Sequence, residues 1–329
     1  MNQNKKDYIN LCENEQSIPI FMQNWWLDAV CTVEARNPDE IGKGGLAWDV
    51  ALARDKNGNI VAALTYAMRK KSFIKIITVP HLTKFTGIWQ RPLPYPLQLE
   101  NSLEEQNRIN TLIIQLPDNH RLTFQLNTNL LDWSPFYWAG FKQTTRYVQV
   151  LEDLKDKALL YKNLNRNTKR NIKKAEEHFK IEVHEDFATF FKLNNIVFKR
   201  QKMSNTIPAA TWQRVEAVLK EKKQRRIYFA FDENGEAHGT FYMVWDNNTA
   251  YALANGLTGT GRTFGAMAQL TWQAISDASE MGLSFNFLGS MLPSVALFNQ
   301  GFNTVKKPYF VLTKSKNMLF DWMFKLMGK

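Results

Sequence analysis

Two stretches of this chain carry the same ordered pattern, and that repetition narrows the folds open to it more than any other feature. Residues 122–151 read LTFQLNTNLLDWSPFYWAGFKQTTRYVQVL, and residues 283–314 read LSFNFLGSMLPSVALFNQGFNTVKKPYFVLTK. At a single offset, 161 positions (285 less 124), Phe124 falls on Phe285, Leu131 on Leu292, Gly140 on Gly301 and Phe141 on Phe302. The second stretch predicts a strand over 283–287, a Gly289-Ser290 corner, a helix over 294–299, a Gly-Phe stop and a strand over 309–314. An ungapped echo in a chain without low-complexity bias implies one fold used twice.

Hairpins repeat as well. The turns Asp55-Lys-Asn-Gly58 and Asp232-Glu-Asn-Gly235 each join two strand-like runs, 48–54 with 60–68 and 228–231 with 238–245. A third strand is predicted over 71–79 in the first half and over 249–254 in the second. The glycines of the two turns lie 177 positions apart, so the first half carries about 16 extra residues before its last strands. The Pro- and aromatic-rich loop at 80–96 accounts for them. Helices are expected near 104–116 and 266–281. Each half reads as antiparallel hairpin, helix, strand, helix, strand, an α+β unit on a mixed, mostly antiparallel sheet. With 329 residues and domains of about 100–200 residues each, the expected division is 1–150, 151–315 and a C-terminal helix over 316–329.

The chain carries 42 Lys and Arg against 31 Asp and Glu, a net +11. Residues 1–150 hold 16 against 14 and residues 151–329 hold 26 against 17, so nearly all the excess lies in the second half. That asymmetry calls for an anionic partner: nucleic acid, a membrane surface or a phosphorylated substrate. Two cysteines, Cys12 and Cys31, are too few for a disulfide framework. The N-terminal residues are polar, with no signal-peptide core. A soluble cytoplasmic protein, peripheral at most to the inner membrane face, is the expectation.

The order of elements is the one found in the GNAT acyltransferase fold, and the tandem pair resembles the FemAB-like (Fem/peptidyltransferase) branch of that superfamily. The likeness rests on NRNTKRNIKKAEE at 165–177, the meander YFAFDENGEAHGTFYMVWDNNTAYALANG at 228–256, the helix GAMAQLTWQAISDASEMG at 265–282 and the corner FNFLGSM…LFNQGF at 285–302. The resemblance implies transfer of an acyl or aminoacyl group to an amine, the acceptor being a cell-envelope precursor such as that of peptidoglycan. It implies charged tRNA or acyl-CoA as donor substrate, no resident metal and no DNA partner. Where the family's corner strand and following helix often carry charged residues, this chain has Asn286, Leu288, Asn299 and Gln300. Two rival readings are an acyl-CoA-dependent N-acyltransferase acting on an amino sugar or lipid headgroup, and a non-catalytic module that binds tRNA or anionic membrane.

Several groups of residues can carry chemistry. On a continuous helix Lys162, Arg166, Lys169, Arg170, Lys173 and Lys174 share an arc of about 140°, opposite Leu160, Leu164, Ile172, Ala175 and Phe179. The basic face is a phosphate-binding surface or a solvated helix face. The loop Thr258–Gly265 stands between strand and helix, where backbone N–H groups hold phosphate. Arg262 and Gly265 are its cofactor-binding candidates, although Met267 crowds the position where a small residue is wanted, and a plain turn with a helix cap is the other reading. No nucleophile elbow or Ser/His/Asp set is present, which suits direct attack on an already activated ester. Asp246 and Ser290 are the catalytic candidates, Asp246 as a general base or as the start of an Asp-Asn turn. Substrate-binding candidates are Tyr66, Thr83, Gly87 and Trp89 in the first half, and Tyr251, Asn255, Gly289, Ser290, Phe302 and Lys306 in the second. The five histidines are scattered and read as surface or loop residues. Residues 318–326, MLFDWMFKL, form a helix with an apolar arc above about 200°, either docked on the protein or lying in a membrane interface.

Overall fold

The computed structural model describes residues 2–35, 38–42, 44–93, 99–200, 207–289 and 291–326. The chain forms two compact units, Met1–Arg146 with Pro308–Lys329, and Tyr147–Lys307. The expected division therefore shifts at both ends. The first break falls at 146, and the C-terminal strand and helix group with the first unit rather than following the second.

The first unit begins with helix α1 (Gln3–Asn14), formed by the polar N-terminal residues. Asn2 caps it by accepting from the Lys5 N–H at 2.8 Å, and Tyr8 is buried with its hydroxyl donating to the Met22 carbonyl. Lys5 is buried too, its ammonium donating to the Trp48 carbonyl and lying 3.9 Å over the indole. Cys12 lies on this helix, and burial pushes its thiol up to about 11, away from nucleophilic use at neutral pH. A 3-10 turn (Ile20–Met22) leads to α2 (Asn24–Val30). Trp26 of α2 is core and donates its indole N–H to Thr83 at 3.0 Å.

Strands β1 (Ala47–Arg54), β2 (Ile60–Lys71) and β3 (Ile74–Thr78) follow as an antiparallel meander. Asp55 closes the first hairpin by accepting from the Asn57 and Asn59 N–H groups. The long loop holds β4 (Ile88–Gln90), which pairs with β2, and leads to α3 (Leu99–Ile114). Next come β5 (Arg121–Gln125), parallel to β3, then α4 (Ser134–Trp138) and β6 (Lys142–Leu151).

In the second unit α5 (Lys157–Asn163) and α6 (Arg166–Glu176) precede β7 (Lys180–Val183), α7 (Phe187–Arg200) and α8 (Ala209–Lys222). The meander is β8 (Arg225–Phe231), β9 (Ala237–Trp245) and β10 (Thr249–Leu257), with β7 added antiparallel to β8. After α9 (Gly259–Thr263) and α10 (Ala266–Glu280), β11 (Ser284–Asn286) runs parallel to β10. The chain ends with α11 (Pro293–Gln300), β12 (Val305–Ser315) and α12 (Met318–Leu326).

The two units have one plan: a three-stranded meander, then a parallel strand, then an antiparallel strand. The repeat in the sequence maps onto it, since Phe124 and Phe285 are buried on β5 and β11, and Phe141 and Phe302 are buried after α4 and α11. The closing strands are exchanged, however. The partner of β5 is β12, through Val311–Ser315, and the partner of β11 is β6, through Val150 and Leu151. The chain leaves the first unit within β6 and returns to it within β12.

Candidate functional site

The basic segment does not form one helix over 160–179. Asn165 accepts from the Thr168 N–H at 2.7 Å and caps a new helix, so Lys162 stands on α5 and the other five cations on α6. The apolar side docks as the spacing predicts: Leu164, Ile172, Ala175 and Phe179 are buried in the core of the unit. The break changes the geometry of the basic side. Lys169 reaches back to donate to the Lys162 carbonyl at 2.6 Å, and Lys174 donates to the Thr263 carbonyl at the end of α9 at 3.0 Å. Lys169, Arg170, Lys173 and Lys174, with Tyr161 and Glu177, line an open recess of about 540 Å³. Lys162 and Arg166 are exposed outside it.

Among the described residues, none of the six cations forms an ion pair with a carboxylate. Tyr161 is the wall the sequence reading missed. It packs edge-on against Trp272 of α10 at 5.3 Å, which fixes α5 on the unit and presents an aromatic surface beside four cations.

The glycine segment takes the second of its two readings, a turn with a helix cap, rather than an open phosphate loop. Thr258 accepts from the Gly261 N–H at 3.1 Å and caps the short helix α9, leaving Arg262 exposed on it. Gly265, at φ +80°, starts α10, and a Cβ there would lie 2.7 Å from the Asn171 carbonyl oxygen. Helix α6 is thus pressed against the start of α10, where a pyrophosphate would have to reach the free N–H groups. The five histidines are not uniformly surface residues either. His238 is buried, its ring nitrogens 3.1 Å from Thr258 Oγ1 and from Asp232 Oδ2. With Glu236 these bring three metal-ligand atoms within 4.8 Å of one another, but the histidine already has both its partners.

Strands β10 and β11 stay paired only from Thr249 to Tyr251 and then part. Diverging parallel strands expose unpaired backbone at their carboxyl ends, which is where ligands of such sheets bind. Here that edge carries Tyr251, Asn255 and the corner at Leu288-Gly289. Asn286 builds the corner, its carboxamide oxygen accepting from the Leu288 N–H at 2.8 Å while Leu288 and Gly289 both take left-handed backbones (φ +57° and +58°). The asparagine that stands where relatives often carry an acid is therefore a turn former in this chain. Asn255 is exposed, and its carbonyl accepts from Asn194 of α7 at 2.8 Å. The Tyr251 hydroxyl donates to Asp246 at 3.0 Å, and burial, with that carboxylate beside it, raises its pKa well above the ordinary value.

Most of the remaining candidates make contacts within their own unit. Asp246 accepts from the Asn248 and Thr249 N–H groups and from Tyr251, so its carboxylate closes a turn. Phe302 is buried against Phe287 and Phe298. Lys306 is exposed, while Lys307 pairs with Glu152. In the first unit Tyr66 is buried across from Asp49, Thr83 holds the Trp26 indole, the Gly87 carbonyl accepts from Thr65, and Trp89 donates to Ser17 at 2.9 Å. Ser290 lies outside the described residues.

Gly289 is a sharp test of the corner. A Cβ there would lie 2.3 Å from the Tyr147 carbonyl oxygen, whereas at Gly282, also left-handed at φ +71°, it would meet nothing within 4 Å. Gly282→Ala is expected to cost about 1–2 kcal/mol for the backbone conformation alone. Gly289→Ala is expected to cost about 1–3 kcal/mol more, from the displaced strand. Urea unfolding of both variants measures the difference; equal losses would mean that the corner is slack.

Residues 162–293 match the family described as acetyltransferase (GNAT) domain. This segment is thus a GNAT-type acyltransferase domain, and the mixed α/β fold around it is the fold of that class. Among solved structures, the chain is similar to that described as FemX, with a TM-score of 0.64 at 10% identity over 94% of this chain and 96% of that one. Weaker likenesses are to the C-terminal domain of a putative lysylphosphatidylglycerol synthetase from Agrobacterium fabrum (TM-score 0.49, 13% identity, 80% and 84% covered) and to L-PGS from Bacillus licheniformis (0.48, 12%, 85% and 90%). At these identities the likeness establishes the fold alone. No curated protein matches the sequence.

Proposed function

We propose that this protein transfers an activated acyl group, carried as an aminoacyl ester on tRNA, to the amine of a cell-envelope precursor. The observation that carries the reading is the recess of Lys169, Arg170, Lys173 and Lys174 beside Tyr161, four cations without a carboxylate partner on a GNAT-type domain. A polyphosphate chain fits such a surface, because each contact releases a condensed counterion. An acyl-CoA donor is less well served, since the start of α10 is occupied by the Asn171 backbone. The acceptor class rests on the resemblance carried by residues 165–177 and 228–302.

The reaction needs no covalent enzyme intermediate. The acceptor nitrogen attacks the ester carbonyl carbon, the nitrogen gives up a proton, the carbon–oxygen bond to the ribose breaks, and the ribose oxygen leaves with a proton. Alignment of the two substrates supplies much of the acceleration. The test is transfer of a labelled amino acid from charged tRNA to a nucleotide-linked peptide precursor. Label should appear in the acceptor, and acetyl-CoA should give no heat by calorimetry. Acetyl-CoA binding without tRNA binding would replace this reading with the acyl-CoA one, and tRNA binding without transfer from either donor would leave a binding module.

A further inference from the structure

The C-terminal helix settles on the first unit in an unusual sense. Its inner face is Phe320, Asp321, Met323 and Phe324, with Phe324 only 2% exposed and its ring 5.0 Å under the Arg121 guanidinium. Asp321, the acidic residue of α12, points inward and pairs with Lys142 at 2.7 Å. The outer side presents Met318, Leu319, Trp322 and Leu326, all apolar and 62–89% exposed. A solvated helix is arranged the other way round.

Phe324 is also one wall of an apolar cavity of about 800 Å³. Ile41, Ile74 and Ile76 line it, Arg69, Lys70 and Lys71 stand at it, and no carboxylate does among the described residues. Lys70 is paired with Asp39, but Lys71 is exposed and the Arg69 Nε is buried with no hydrogen-bond partner. The turn that closes the cavity, Ser72-Phe73, presents Phe73 at 67% exposure, and His120 bridges that ring to Phe320 of α12. Apolar surface, apolar cavity and unneutralised cations are therefore continuous on one side of the unit.

We propose that this face is a docking site for an anionic phospholipid bilayer. Trp322, Leu319 and Phe73 enter the interface, a lipid acyl chain occupies the cavity, and Arg69 with Lys71 holds the phosphate. Apolar depth and a cationic rim occur together here, which matches an anionic amphiphile better than a protein partner. The site is independent of the basic recess on α6.

The test is co-sedimentation of the full chain with vesicles of phosphatidylglycerol and phosphatidylcholine (1:3) against phosphatidylcholine alone. Wild type should prefer the anionic vesicles, and Arg69→Gln with Lys71→Gln should weaken that preference about fivefold per charge. Leu319→Ser with Trp322→Ser should lower partitioning at least about tenfold, with unchanged melting curves because both side chains are exposed. Brominated acyl chains should quench tryptophan emission in wild type and much less in Trp322→Phe. Neutralising Lys169, Arg170 and Lys173 should leave sedimentation unchanged. Equal binding to both vesicle types, loss of binding only in the α6 variant, or a concentration-dependent dimer abolished by Leu319→Ser/Trp322→Ser would each overturn the proposal.

Discussion

Replacing Arg225 by alanine is expected to destabilise the second unit by about 3–5 kcal/mol, a drop in thermal midpoint on the order of 10 °C for a unit of this size. The Arg225 side chain is 5% exposed and makes two bonds of 2.6 Å to Glu185 and one of 2.8 Å to Glu216. Glu216 also accepts from the buried Tyr242 hydroxyl. One guanidinium thus ties the segment before α7, helix α8 and strand β8 together. Alanine would leave the Glu216 carboxylate buried without its cation, the costly case, whereas removing the whole polar set should cost far less. Arg225→Met with Glu216→Leu and Tyr242→Phe is therefore expected to recover most of the loss. A melting curve for Arg225→Ala within about 1 kcal/mol of wild type would mean that water replaces the guanidinium. Acid adds a second reading. Hydrogen bonds from Arg225 hold Glu185 at about 2 against an ordinary 4.5. A depressed carboxylate stabilises fully above its unfolded value, so this contribution is intact above pH 4.5 and fades as pH falls towards 2. Glu185 is 60% exposed, so solvent screening keeps it small. Wild type should lose more stability than Arg225→Ala across that window.

Neutralising Lys169, Arg170 and Lys173 together is expected to weaken tRNA binding about 10²–10³-fold at 0.1 M salt. The size follows from counterion release. Each phosphate contact contributes about 0.7–0.9 to the slope of log affinity against log salt, so three lost contacts remove about 2–3 decades at that concentration. The slope itself should fall by the same 2–3 units, a readout that misfolding does not imitate. The three side chains are on the outer side of α6 and make no ion pair among the described residues, so thermal stability should stay within about 0.5 kcal/mol. Filter binding across a salt series with Lys162→Gln as the comparison, outside the recess, separates a built site from general basicity. Equal slopes for wild type and the triple variant would mean that the recess is a solvated helix face.

Much of the architecture was legible because it is written in local pattern. The two Asp-x-Asn-Gly turns, the strand-like runs of β1, β2, β8 and β9 and the Phe-Gly-Phe echo each depend on neighbours in the chain. The features that were misread depend on a single capping contact or a distant one. Asn165 starts a new helix through its own side chain, which a count of 100° per residue passes over. The four residues of β7 exist because β8 offers them an edge. His238 is buried only because Asp232 and Thr258 meet it from two other elements. Tyr161 joins the cations because Trp272, more than a hundred positions away, holds it there.

The sequence by itself determined that one α+β plan occurs twice and where the positive charge lies. Tertiary structure decided how the two copies are closed. Nothing in the echo between 122–151 and 283–314 says that β12 completes the sheet of β5, or that β6 serves β11. Strand partners are chosen by backbone hydrogen bonds and by burial across long stretches of chain, and any strand of suitable pattern satisfies the same edge. The same physics left α12 on the first unit, with its single acid turned inward and its apolar face to the outside.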